Sequence, residues 1–175
     1  SSDLISNYSA GLLQTGQTKK AIENIEKLNK KSQITVNAFS NYLLAIQYDD
    51  EWSREERFAQ ATKFSDIFEK PLKQYRININ KRNHYEKIKI GYVSGDFRNH
   101  SLAYFIEPIL KNHNKNKFEI YCYSNHPVED EVTSELKKYS DSWLNCSNMT
   151  DEDLARKISI DSIDILIDLS GHTGY

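Results

Sequence analysis

The sequence predicts an α/β fold: an open parallel sheet with helices on its faces, preceded by an all-helical segment. Two observations predict it. Up to about residue 70 every apolar pattern has helical spacing. After residue 87 short apolar runs alternate with amphipathic stretches in the order β-α-β-α-β-α-β. Strands that alternate with helices imply crossover connections and therefore parallel pairing. In the common strand order 3-2-1-4, the first and fourth strands are neighbours, and the loops that follow them meet at one carboxyl edge of the sheet.

Leu12 and Leu13 precede a break at Gly16, and Ala21, Ile22, Ile25 and Leu28 follow at spacings of three and four. Two short antiparallel helices joined near a glycine fit one tetratricopeptide-type repeat, and fit a plain helical hairpin equally well. The next helix is expected over Val36 to Tyr48, with Phe39, Tyr42, Leu43 and Ile46 on its inner face. Ser53-Arg54-Glu55-Glu56 is a capping box, opening a helix that carries Phe58, Ala61, Phe64 and Phe68, with Pro71 just beyond its end. Lys73 to Lys87 is polar and basic and reads as a linker.

The period then switches. Ile88 to Val93 is the first strand, and Ser101 can cap a helix with Leu102, Phe105, Ile106, Ile109 and Leu110 as its stripe. Pro108 falls inside that helix and is expected to bend or shorten it. Phe118 to Tyr123 is the second strand, Val132 to Tyr139 a helix, and Trp143 to Cys146 a short third strand. Thr150 opens a helix through Leu154, Ala155 and Ile158. Ile163 to Leu169, the most continuous apolar run, is expected to be a central strand.

At 175 residues, 38% of them hydrophobic, the chain can hold one domain or two small pieces. A formal charge of -2, with lysines spread among acidic residues, gives no electrostatic footing for nucleic acid or an anionic membrane. No apolar run has the length of a membrane span. Cys122 and Cys146 make neither a disulfide framework nor a zinc-ligand spacing, and a reducing compartment suits them. The chain opens on a helix and stops straight after a strand, so it is expected to be a fragment.

The residues that carry chemistry cluster after the two apolar strands that should be adjacent. His100 stands where the first strand has ended and a helix begins; backbone dipoles disfavour charge on an imidazole placed there, which suits a base or a hydrogen-bond donor. It can equally be a simple cap. His172 follows Ser170-Gly171, where glycine lets a ligand approach the backbone, or forms an ordinary turn. Asp96 can orient His100 or bond a loop amide. Asp161 is placed to end a helix, and Asp168, inside an apolar run, needs a partner or a wet edge. His84, His113 and His126 lie in polar surroundings and are expected on the surface. The glycines form neither a dinucleotide fingerprint nor a Walker loop, and no triad, HExxH motif or paired carboxylates stand out.

Asn41-Tyr42-Leu43-Leu44 with Tyr48, the run from Ile90 through Gly95-Asp96-Phe97-Arg98-Asn99-His100-Ser101, Phe118 through Ser124, and Asp161 through Gly171-His172-Thr173 occur in one register. Through these segments, from about Asn37 to Tyr175, the chain resembles the bacterial O-GlcNAc transferase group, the SPINDLY-type members of glycosyltransferase family 41. The resemblance implies a GT-B architecture of two Rossmann-like lobes, of which this chain matches the N-terminal one. With the apolar patterns, the chain divides into a tetratricopeptide-like hairpin over residues 1–33, a helical extension over 34–70, a linker over 71–86 and the lobe over 87–175. In the family, the histidine corresponding to His100 lines the cleft and stands as the proposed base. Asp96 and Asn99 share its motif, and Gly171, His172 and Thr173 carry over as further cleft lining. An acidic residue of animal members aligns with Arg156, which removes one alternative base. The implied donor is UDP-GlcNAc, with no cofactor or metal, and its contacts are expected from a second lobe. The implied partners are acceptor proteins or peptides met through the helical repeats in the cytoplasm, with no nucleic acid or membrane, and the isolated chain is expected to be inactive. The alternative is a tetratricopeptide-type interaction module with a non-catalytic lobe; an intact His100 and Gly-His-Thr motif favour the enzyme.

Overall fold

A computed structural model of the chain describes residues 2–30, 34–75 and 87–171. The chain divides into two compact units, residues 1–76 and 77–173. No described helix is long and apolar enough to cross a membrane.

In the first unit α1 (Ser2–Gln14) and α2 (Thr18–Lys30) form a helical hairpin. Its turn follows from Gly16, whose φ of 74° is open to glycine at little cost. The Gly16 amide donates to the Leu13 carbonyl at 3.0 Å and the Gln17 amide to Leu12 at 2.8 Å, which closes the last turn of α1. Next, α3 (Val36–Ala45) runs into a 3₁₀ turn at Ile46–Tyr48, and Phe39, Tyr42, Leu43 and Ile46 are all buried as their spacing predicts. They join Ile22 and Ile25 of α2 and Phe64 in one core.

The capping box at Ser53 opens α4 (Arg54–Phe64). Only part of the expected stripe turns inward: Phe64 is buried, whereas Phe58 is 73% exposed. Arg57 fixes this rotation, because its guanidinium donates to the Ile46 carbonyl at 3.1 Å and the Asp49 carbonyl at 2.8 Å. A π-helical turn at Ser65–Glu69 then brings Phe68 against Phe64, ring centroids 5.0 Å apart. Pro71 lies just beyond that turn, as expected, within a following 3₁₀ segment, Lys70–Tyr75. Residues 76–86 of the expected linker, His84 among them, lie outside the described residues.

In the second unit the described strands form one parallel sheet in the order β3-β2-β1-β4. β1 (Ile88–Ser94) pairs with β2 (Phe118–Ser124), Ile90 opposite Ile120, and with β4 (Ile165–Asp168), Ile90 opposite Ile165. β3 (Ser142–Asn145) pairs with β2. Alternation divides the side chains between the two faces. Ile90, Tyr92, Ile120 and Cys122 pack with Ile106 and Leu110 of α5 (Ser101–Asn112) and Leu136 of α6 (Glu131–Lys137). Tyr123, Val93 and Leu144 pack on the other face with Leu154 and Ile158 of α7 (Asp151–Ile160).

One expectation needs correction. The run Ile163–Leu169 supplies β4 at an edge of the described sheet rather than at its centre, with Ile165 and Leu166 about half exposed, because an apolar run does not report a strand's place in the ladder. Pro108 lies inside α5, which continues to Asn112. The carbonyl that Pro108 leaves without an N–H donor is that of Tyr104, on a residue 80% exposed, where water can serve.

Candidate functional site

The carboxyl ends of β1 and β4 are joined by side chains. The Ser94 and Ser170 hydroxyls, both on buried residues, lie 3.4 Å apart, and the Gly95 amide donates to Ser170 Oγ at 3.4 Å. Asp168 closes the second loop: its carboxylate accepts from the Ser170 amide at 2.9 Å and the Gly171 amide at 3.1 Å. That satisfies the carboxylate which the apolar strand left in need of partners. Gly171 takes φ of 55°, a left-handed conformation that only glycine adopts without strain. The loop after β1 and the loop after β4 therefore share one edge, as the strand order requires. His172 and Thr173 lie outside the described residues.

His100, not Ser101, caps α5. Its backbone is extended, and its ring Nδ1 accepts from the Leu102 amide at 3.3 Å. The Asp96 carboxylate stands 3.8 Å from the same Nδ1 and also receives Arg98 Nη2 at 3.3 Å. A neutral imidazole carries one proton, so a ring that accepts at Nδ1 holds it on Nε2. With its side chain 41% exposed, His100 caps the helix through Nδ1 while part of its side chain stays open to solvent. Asn99 enters through its backbone, the amide donating to Asp130 Oδ2 at 2.6 Å. That bond, together with the Thr133 amide, holds the Asp130 carboxyl below the usual carboxylate range.

Sequence reasoning passed over two residues here. Asp130 was hidden because a capping aspartate looks alike whether or not it also holds a distant loop. His126 was expected on the surface, yet it is half-buried just past β2, its Nδ1 2.8 Å from the Val128 carbonyl, and its own carbonyl accepts from Asn145 at 2.9 Å. The signal for it was its place immediately after an apolar strand, the same one that singled out His100. His113 is likewise half-buried: its Nε2 lies 2.9 Å from the Tyr92 hydroxyl and its ring packs on Phe118. Burial, and secondarily Lys115, push its pKa down.

Arg156 pairs with Glu152 one helical turn away, on the exposed side of α7. Asp161 ends α7 as expected and also accepts from the buried Tyr123 hydroxyl at 2.8 Å. Cys122 and Cys146 are buried and unpaired, and burial raises the Cys122 thiol to about 12, so it is held as the neutral thiol. Among the described residues no group of three or more His, Cys, Asp or Glu is placed to hold a metal ion.

Residues 17–174 match the family described as glycosyl transferase family 41. A probable UDP-N-acetylglucosamine–peptide N-acetylglucosaminyltransferase SPINDLY of Hordeum vulgare is 33% identical over 141 residues, 78% of this chain and 15% of that protein. The Arabidopsis thaliana protein similarly described, SEC, is 32% identical over 90 residues, 51% of this chain and 9% of its own length. Among solved structures, a mutant of the Thermobaculum terrenum O-GlcNAc transferase aligns with a TM-score of 0.88 at 29% identity, covering 99% of this chain and 34% of that one. The chain thus spans about 15% of the length of the SPINDLY relatives it matches.

Proposed function

We propose that this chain, which belongs to glycosyl transferase family 41, is part of a protein glycosyltransferase that moves N-acetylglucosamine from UDP-GlcNAc to serine or threonine hydroxyls of proteins. The observation that carries the reading is the joining of the His100 loop to the Ser170-Gly171 loop at one sheet edge through Ser94, Gly95 and Ser170. Open α/β sheets bind ligands outside the carboxyl ends of their strands, where the order reverses, and β1 and β4 flank that point. Asp96, Asn99, Gly171, His172 and Thr173 belong to the same lining, the last two by the motif alone.

In the transfer, the acceptor oxygen bonds to the anomeric carbon while the bond from that carbon to the diphosphate breaks; the electron pair departs with the diphosphate, and the acceptor's proton passes to the departing diphosphate or to water. Negative charge grows on the leaving oxygen. An N–H donor aimed there is typically worth about 10²–10³ in turnover. His100, capping through Nδ1, offers such a donor at Nε2 and does not in that state take the acceptor's proton. The helical unit supplies the surface for acceptor peptides, in the manner of a tetratricopeptide-like array, and the buried unpaired thiols fit a cytoplasmic setting.

The test is transfer by the full-length protein, read as a mass increment on an acceptor peptide supplied with UDP-GlcNAc. His100→Ala should lower turnover by about two to three orders of magnitude while the melting temperature moves little. Near-normal turnover in that variant removes His100 from the site and leaves His172 as the better assignment. An inert wild-type protein that still captures peptides supports the interaction module instead.

A further inference from the structure

Phe97, Arg98 and Asn99 lie in neither strand nor helix, so no ladder fixes the three residues that lead into His100. They are held from elsewhere. Thr133, buried in the first turn of α6, donates its hydroxyl to the Phe97 carbonyl at 2.7 Å. Asp130, the N-cap of the same helix, accepts from the Asn99 amide at 2.6 Å through Oδ2. Its Oδ1 accepts from the Thr133 amide at 2.8 Å, and Thr133 Oγ1 accepts from the Asp130 amide at 3.2 Å. One reciprocal cap thus grips the loop at both ends, from 31 to 36 residues away in sequence. The ring of Phe97 anchors the same segment against Trp143, centroids 5.3 Å apart.

A helix cap uses one carboxylate oxygen; the second oxygen of Asp130 and the hydroxyl proton of Thr133 are spent on the loop. We propose that Asp130 and Thr133 are positioning residues for His100, setting where its ring stands at the sheet edge during transfer. The proposal rests on the functional reading above. Without the grip, the loop relaxes, the Leu102 cap loosens and the Nε2 donor no longer points to one place. Misplacing a reacting group by about 1 Å can cost on the order of a hundredfold in rate.

The decisive variant is Asp130→Ser in the full-length protein. Serine caps a helix as well as aspartate does, but its shorter side chain, with its oxygen on the Thr133 amide, does not reach the Asn99 amide that Oδ2 serves. With UDP-GlcNAc and an acceptor peptide, kcat is expected to fall about 10- to 100-fold with KM for the donor unchanged. In a His100→Ala background the same substitution should add nothing, since a residue that acts through the ring has no effect once the ring is gone. An equal fall in both backgrounds, or no fall, overturns the proposal. If Asp130→Ser does not fold, Asp130→Asn replaces it, keeping a cap while setting an amide NH₂ against one of the two donors. ¹⁵N spectra of His100 in the same proteins give a readout free of activity: the wild type should hold the Nε2–H tautomer and the variant a mixture. If the wild type transfers no sugar, the functional reading fails and the spectra alone decide; an unchanged tautomer ratio then overturns the positioning role.

Discussion

The two nitrogens of His100 can be separated by substitution. Asparagine places an acceptor where Nδ1 stands and is among the best N-caps, but does not reach as far as Nε2. Glutamine reaches that far with an N–H donor, but loses the cap. The cap itself is modest: its bond is 3.3 Å long and exposed, which puts its loss near the low end of the usual range, about 0.5 kcal/mol. For a domain of some 150–250 residues that is a melting shift of roughly 1–2 °C. His100→Asn should therefore melt like the wild type yet turn over about 10²–10³ more slowly, having lost a donor aimed at developing charge. His100→Gln should melt slightly lower and recover part of the turnover that His100→Ala loses. Steady-state transfer from UDP-GlcNAc to an acceptor peptide, paired with thermal melts of the same samples, reads both quantities. Glutamine cannot accept a proton, so a base role predicts that Gln and Ala fail alike. That result would refute the donor assignment and require the proton on Nδ1, facing Asp96 at 3.8 Å.

Gly91→Ala should destabilise the second unit by about 1–3 kcal/mol, because a Cβ there meets Leu166 at 3.0 Å, Ile163 at 3.1 Å and the buried Tyr123 ring at 3.2 Å; an unchanged denaturation midpoint would show that the β4 side chains move aside freely. His113 is held below its ordinary value of 6.5 by burial, with Lys115 adding and Asp141 opposing, so it binds its proton more readily unfolded than folded. Its contribution to stability is full above pH 6.5 and is lost as pH falls through the folded value, so denaturation midpoints between pH 7 and 5 should decline less in His113→Gln than in the wild type; parallel declines would clear His113 of the effect. The isolated 175-residue chain should show no transfer and only weak binding of UDP-GlcNAc by calorimetry; micromolar affinity would mean that its donor site is more complete than proposed.

What could be read from residues alone follows the range of the forces involved. The Ser53 capping box and the Thr150 cap are local, and each appears where its pattern placed it, whereas the α5 stripe holds only in part: Ile106 and Leu110 are buried and Phe105 is 72% exposed. The strand order followed from alternation, because parallel strands joined by helices have few ways to pair, and with it came the meeting of the loops after β1 and β4. Rotation was harder. Phe58 belongs to an apolar spacing as good as that of Phe64, and only the Arg57 bonds to two carbonyls eleven and eight residues back turn it to solvent. Histidines were read by the polarity of their neighbours, which misjudged His113, since its partners Tyr92 and Phe118 come from adjacent strands. The same limit shaped the site. The sequence put a histidine at the end of β1, but whether its ring caps, donates or accepts depends on the Leu102 amide on one side and the Asp96 carboxylate on the other. Both compete for Nδ1, and the winner determines what Nε2 can do. The two stand at 3.3 and 3.8 Å from it, and Asp130 and Thr133, at the start of another helix, hold the loop that carries the ring. The partners of the His100 loop are therefore side chains that no local pattern around residue 100 contains.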